Sequence, residues 1–255
     1  MSTDGSGRPP GRLPRPKTDS VHDARTPCAS CDVRGLCLPI GLDADALREL
    51  DAAFGDHVLV KRHEVLYRGG APFTSLSAIR LGTFKTLVRA EDGREQITGY
   101  HMAGDIVGLD GIGKERHACE AIALEDSEVF AVPFATLDEL ARRVPILRQN
   151  LLRLISRDLC RGQDMMLLLG SMRAEERLAA FLLNLAERYR RRGYSGSELN
   201  LRMTREEIAS YLGLKLETVS RVFSRLQEEG LIQVQGRAIK LLDLPALNLL
   251  AGHGR

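Results

Sequence analysis

The segment Met203 to Gly230 constrains the fold more than any other, because it specifies two helices and the turn between them at close quarters. Thr204 followed three residues later by Glu207 predicts a helix start, since these two side chains can satisfy each other's orphan backbone amides. Gly213 ends that helix. A second is expected from near Leu216 to Gly230, a residue that takes positive φ without steric cost. Within it Val219, Val222, Phe223 and Leu226 recur at i, i+3, i+4 and i+7 and form a buried stripe. Glu217, Ser220 and Arg221 project together from the other face, near the helix start. Two short helices joined at a glycine, with base-reading side chains at the front of the second, describe a helix-turn-helix. Arg221 suits a guanine edge, Glu217 a cytosine amino group and Ser220 either neighbour. Thr204 and Lys215, at the starts of the two helices, complete the candidate DNA-binding set. A plain Glu217–Arg221 surface ion pair is the simpler alternative. The complete two-helix unit weighs against it, as does Leu231 to Leu241, which reads as two short strands around Gln235-Gly236 and makes the motif winged.

The rest of the chain divides by composition and pattern. Residues 1–26 are Gly-, Pro- and Arg-rich with almost nothing apolar, which predicts a disordered tail. Residues 27–40 hold Cys28, Cys31 and Cys37, three of the five cysteines, in a proline-bounded loop. The spacing of Cys28 and Cys31 is shared by structural zinc and iron–sulfur sites, either of which usually takes a fourth ligand. Residues 41–144 contain short apolar alternations punctuated by glycine, as expected of a β-roll or jelly roll. Asp92-Gly93 and Glu125-Asp126-Ser127 mark expected hairpin turns. His57, His63, His101 and His117 are scattered through it without the close pairing a metalloenzyme would need. Residues 145–170 predict one long helix beginning at Pro145, preceded by a short helix opened by a capping box at Thr136 to Glu139. Leu147, Leu151 and Leu154 would face the roll. Leu152, Ile155, Leu159, Gly162, Met166 and Leu169 follow a 3-4 repeat like a coiled-coil seam, with Gly162 small enough for close backbone approach. Arg173 to Arg192 predicts another amphipathic helix, entering a winged helix-turn-helix domain that fills 171–255.

The expected fold class is therefore α+β, in two domains, with 44 % hydrophobic residues available for the core. The formal charge of +2 is no obstacle to DNA binding, which depends on a local basic patch. No apolar run nears the roughly 20 residues a membrane helix needs, and Met1 to Thr26 has no apolar signal region. A cytoplasmic protein is expected, in which cysteines serve something other than structural disulfides.

Several phrases of the chain resemble the FNR branch of the CRP/FNR family of bacterial transcription regulators: Gln96-Ile-Thr-Gly-Tyr-His, Ala103-Gly-Asp-Ile-Val-Gly, Ala174-Glu-Glu-Arg-Leu-Ala-Ala-Phe and Glu217-Thr-Val-Ser-Arg221. The resemblance covers about residues 28–253 and implies a non-enzymatic regulator. It further implies an oxygen-labile 4Fe-4S cluster on the cysteines, a homodimer on a double-stranded palindrome resembling TTGAT-N4-ATCAA, and contact with RNA polymerase, for which the loop at Glu91 to Glu95 is a candidate surface. Two departures stand out. The family's usual fourth cysteine falls at Phe130, so Cys119, on the strand expected to pair with that of Phe130 about 5 Å away, is taken as the fourth ligand. Lys215 replaces the usual small polar cap of the recognition helix, and phosphate contact is an alternative use for it. Two rival readings keep the fold. One is a cyclic-nucleotide regulator, for which Gly104-Asp105 offers a shortened acid and Arg116 only a loosely placed arginine. The other is a structural zinc module, which would be colourless where an iron–sulfur protein is straw-brown.

Overall fold

The computed structural model describes Cys31, residues 34–55 and residues 57–252. Cys28 and the expected tail at 1–26 lie outside them. The chain enters through a 3-10 turn, Arg34–Leu36, and helix α1 (Ala44–Ala53), then builds a roll of two four-stranded antiparallel sheets. One sheet has the order β1 (His57–Val60), β8 (Ser127–Pro133), β3 (Ser75–Leu81), β6 (Ile106–Val107). The other runs β2 (Val65–Tyr67), β7 (Glu120–Ala123), β4 (Thr83–Arg89), β5 (Glu95–Met102). Val60, Ile79, Phe84, Val107, Ala123 and Val129 meet between them in a dry core.

The Asp92-Gly93 turn closes the β4–β5 hairpin as expected, with Arg89 opposite Glu95. The Glu125-Asp126-Ser127 turn does not close a hairpin. β7 pairs with β2 and β4, whereas β8 pairs with β1 and β3, so these residues carry the chain from one sheet to the other. Local bonds hold the crossing: Leu124 N donates to Thr83 O at 2.8 Å, and Asp126 accepts from Arg62 N and Lys61 Nζ, each at 3.0 Å. Gly82 is obligatory beside it, because at φ +93° an added Cβ would fall 2.0 Å from Ser127 Oγ.

Helix α2 (Phe134–Arg143) starts before the capping box read at Thr136. The residue just before β3 serves as its cap, since Phe134 N donates to Thr74 O at 3.0 Å. Helix α3 (Pro145–Ser171) begins at its proline as expected. Leu147, Leu151 and Leu154 pack with Leu38, Leu50, Leu137 and Val132, joining the helix to the roll and to α1. Asn150 fixes the entering loop by donating to Leu38 O and Ile40 O.

After α3 come α4 (Ala174–Arg190), strand β9 (Glu198–Asn200), α5 (Arg205–Leu212), α6 (Leu216–Glu228), the hairpin β10 (Ile232–Gln235) and β11 (Ala238–Leu241), and α7 (Leu244–Leu250). The wing is a three-stranded sheet, because β9 pairs with β11. Its core does not stop at the domain boundary. Leu87, Ile97, Tyr100 and Met102 of the roll join one continuous cluster with Leu178, Phe181, Ile208, Val219 and Phe223.

Candidate nucleic-acid interface and metal centre

The reading head forms as its sequence dictates. Thr204 caps α5, accepting from Glu207 N at 3.1 Å while Glu207 Oε2 accepts from Thr204 N at 2.7 Å. Gly213 ends α5 at φ +61°, and Gly230 follows α6 at φ +73°. Val219, Val222, Phe223 and Leu226 are buried, which at roughly 1.5–3 kcal/mol per large apolar side chain fixes α6 against α4 and α5. Arg177 secures the angle: its guanidinium donates to Met172 O, Leu169 O and Leu212 O, each at 2.9 Å, and so answers terminal carbonyls of α3 and α5 together.

Opposite that packed stripe Glu217, Ser220 and Arg221 are exposed, as are Thr204 and Lys215. Glu217 and Arg221 form no ion pair; Arg221 Nη2 instead lies 3.5 Å from Thr218 Oγ1. Lys215 occupies the N-cap of α6 with no side-chain cap bond, which leaves the first amides of that helix open. Arg205 is a residue the sequence did not single out. Its guanidinium lies 3.2 Å from the centroid of the Phe223 ring, and burial pushes its pKa down to about 10.

The seam on α3 is only partly as read. Leu152, Ile155, Leu159 and Met166 are all large exposed apolar side chains, and a Cβ added at Gly162 would meet nothing within 4 Å. Leu169 leaves the seam and packs toward the reading head, its Cδ2 being 3.0 Å from where a Cβ on Gly213 would lie.

The cysteines separate into two environments. Cys37 is buried against α1, α2 and α3, and burial pushes its thiol up to about 12, with nearby Cys31 adding to the effect. Cys119 stands at the head of β7. Asp110 Oδ2 accepts from Ala118 N at 2.6 Å, from Cys119 N at 3.1 Å and from Cys119 Sγ at 3.4 Å, while Tyr67 Oη lies 3.9 Å from the sulfur. Burial and then Asp110 push this thiol up to about 12. Phe130, on β8 in the other sheet, packs against Phe54 and His57. The expected β7–β8 pairing is therefore corrected, and with it the argument that Cys119 replaces a ligand at Phe130 from the adjacent strand. Cys160 is exposed on α3. Among the described residues no three His, Cys, Asp or Glu side chains are gathered as a metal site.

Between the second sheet, α3 and α4 lies a cavity of about 1110 Å³, lined in part by Tyr67, His101, Asp110, Cys119, Arg161 and Arg188. The pair weighed for a cyclic phosphate is engaged with other partners in the fold. Asp105 is buried and fully engaged: Arg161 at 3.2 Å and Arg192 at 3.1 Å hold Oδ1, while Arg188 at 2.7 Å and Met102 N at 3.0 Å hold Oδ2. Burial alone would raise this carboxyl, but the guanidiniums of Arg188, Arg161 and Arg192 outweigh it and hold the group well below the usual carboxylate range. Arg116 is exposed and donates to Gly70 O. Asp105 is thus a junction between the roll, α3 and α4.

No helix among the described residues is long and apolar enough to cross a membrane. Residues 57–144 match the model of the cyclic nucleotide-binding domain, and residues 176–250 that of the Crp-like helix-turn-helix domain. The chain is 46% identical to Electron transport regulator A of Shewanella oneidensis over 228 residues, covering 89% of this chain and 91% of the relative. It is 45% identical to the Transcriptional regulatory protein btr of Bordetella pertussis over 235 residues, 92% and 95% of the two chains. To the Fumarate and nitrate reduction regulatory protein of Escherichia coli it is 45% identical over 228 residues, 89% and 91% of the two chains. The solved structure of FixK2 from Bradyrhizobium japonicum superposes with a TM-score of 0.71 at 31% identity, covering 76% of this chain and 96% of that one. A roll, an α3 with an uncovered apolar seam, an exposed reading face on a winged helix-turn-helix and these relatives lead to one assignment: the chain belongs to the FNR branch of the CRP/FNR family and is a DNA-binding transcription regulator, not an enzyme.

Proposed function

We propose that this regulator is a cytoplasmic oxygen or redox sensor that carries a 4Fe-4S cluster on its cysteines and, as a homodimer, reads a palindrome resembling TTGAT-N4-ATCAA. The observation that carries the sensing half is the Cys28-x2-Cys31-x5-Cys37 loop in a chain 45% identical to a protein named for fumarate and nitrate reduction. Its thiols are of the donor type such a group takes: Cys37 is shielded from solvent, Cys31 lies nearby, and both are free of disulfides. Such a cluster, when bound, supplies a centre that reacts with oxygen. Cys28, Cys31 and Cys37 would hold three of its corners. Cys119 is proposed for the fourth on chemistry alone, since Phe130 offers no donor and Cys160 sits exposed on α3. From its place in the second sheet it asks the entering loop to approach that face of the roll.

The dimer would form along Leu152, Ile155, Leu159, Gly162 and Met166, placing two reading heads about one helical turn apart on DNA. The loop at Glu91 to Glu95 is proposed to meet RNA polymerase. The deciding experiment replaces each cysteine by serine and measures iron, sulfide and visible absorption after anaerobic purification. Cys28, Cys31, Cys37 and Cys119 should each be required, and Cys160→Ser should keep a full straw-brown centre. A colourless parent containing zinc would refute the redox reading, and a Cys119→Ser protein with full iron and sulfide would refute its place as the fourth ligand.

A further inference from the structure

Helix α5 is fastened to the sensor roll through the residue that caps it. Lys85 Nζ on β4 lies 2.8 Å from Glu207 Oε1, and the two side chains are only 15% and 14% exposed. The other oxygen of Glu207 is the one that closes the start of α5 on Thr204 N. Next to this pair Ile97 N of β5 donates to Ser210 Oγ at 3.1 Å, the Gln96 amide donates to Ser210 O, and the Tyr100 ring packs 5.0 Å from that of Tyr211. Glu207, Ser210 and Tyr211 stand at i, i+3 and i+4, so one face of α5 is spent on the β4–β5 hairpin. The reading residues Lys215, Glu217, Ser220 and Arg221 all stay exposed, as does Thr204. A contact that acted by covering the DNA-binding face would bury some of them.

We propose that Lys85, a residue of the sensor roll, is a positioning residue for DNA recognition: through Glu207 it fixes how α5, and with it α6, is presented to the duplex. The physical effect is preorganisation. A reading head already held in one orientation loses less freedom on binding than one that swings about the α3–α4 junction. Coupling of this kind is reciprocal, so DNA should in turn tighten the β5–α5 contact.

The test uses the full-length protein and the duplex that the parent prefers from a random library, so it does not depend on the palindrome proposed above. Binding is measured by fluorescence anisotropy across a range of salt for Lys85→Met, Lys85→Arg, Glu207→Gln and the Lys85→Met/Glu207→Gln double variant. Glutamine keeps the capping box and removes only the charge facing Lys85. Lys85→Met and Glu207→Gln should each weaken binding about three- to tenfold, as expected for losing one coupled pair. The double variant should be no worse than either single one, and Lys85→Arg should bind as the parent does. The slope of log affinity on log salt should not change, because Lys85 neutralises no phosphate. Exchange of the Ile97 amide should quicken in the weakened variants and slow in the parent when DNA is added. Unchanged or tighter binding, an additive loss in the double variant, or a slope shallower by about 0.9 would each overturn the proposal, the last by showing Lys85 on the DNA itself.

Discussion

Replacing Asp105 by asparagine keeps the shape of the side chain and removes the charge at the junction of roll, α3 and α4. The size of the effect follows from what surrounds it. Asp105, at 5% exposed, faces Arg192, also 5%, and Arg188, 13%, so most of this contact is shielded from solvent. Arg161 is about a third exposed, at 34%, so its share is discounted for solvent screening. Arg188 and Arg192 keep carbonyl partners, at Tyr100 O and Ala103 O, each 2.7 Å away, but lose their counter-charge. An asparagine amide can accept on one side only and would point N–H groups at a guanidinium on the other. Removing one partner of a buried ion pair destabilises by about 3–5 kcal/mol, and the discount for Arg161 places this case near the lower end.

Urea unfolding followed by circular dichroism should therefore move to lower denaturant by about 1 M at a slope of roughly 3 kcal/mol per molar. Arg161→Met should shift it by far less. The pH dependence has a definite sign. The folded carboxyl is held below its unfolded value of about 3.9, so its contribution is complete above that value and is lost as pH falls toward the folded pKa. The gap between parent and Asp105→Asn should be constant from pH 7 to about 5 and should narrow below about 4. A gap under about 1 kcal/mol at pH 7, or one that widens in acid, would refute the account of Asp105 as a charge-compensated junction.

Two further outcomes test the DNA and dimer surfaces. Arg221→Ala should cost about 1–3 kcal/mol on the preferred duplex and relax discrimination at one guanine; equal loss on random DNA, measured by competition, would reduce Arg221 to a phosphate contact. Ile155→Glu would set two like charges in the α3 seam and should yield a monomer with poor DNA affinity, and an unchanged mass by sedimentation would remove that seam as the dimer contact.

How much of this was legible in the sequence depends on how local the cause is. The capping box at Thr204, the positive-φ glycines at 213 and 230 and the buried stripe of α6 each depend on neighbours within a turn or two, and each forms as read. The split of α3 into a packed and an uncovered stripe was legible for the same reason, down to Leu154 and Leu159. Strands β2, β6 and β9 were not. They are two or three residues long, too short for an alternation to register, and they exist because a partner strand supplies the bonds. α2 likewise begins where Thr74 offers a carbonyl, not where its own sequence offers a cap.

The β7–β8 crossing shows where local reading ends. Glu125-Asp126-Ser127 carries the chemistry of a turn, and a turn forms there, but turn residues specify only that the chain changes direction. Whether the next strand returns beside the last or crosses to another sheet is decided by which partner is already waiting. Here β3 and β1 offer both edges of β8, with Ala78 and His57 flanking Phe130, and β2 and β4 take both edges of β7. The expectation that the strand after Cys119 pairs with that of Phe130 failed at that step, since it needed the partner and not the turn. Asp105 and Lys85 were hidden by the same distance. Their partners lie 56 to 122 residues further along the chain, on helices whose own periodicity gives no reason to expect them, and only the docked fold brings the charges together. In this protein the recognition chemistry is written locally, whereas the contacts that join roll to reading head are written in the tertiary structure.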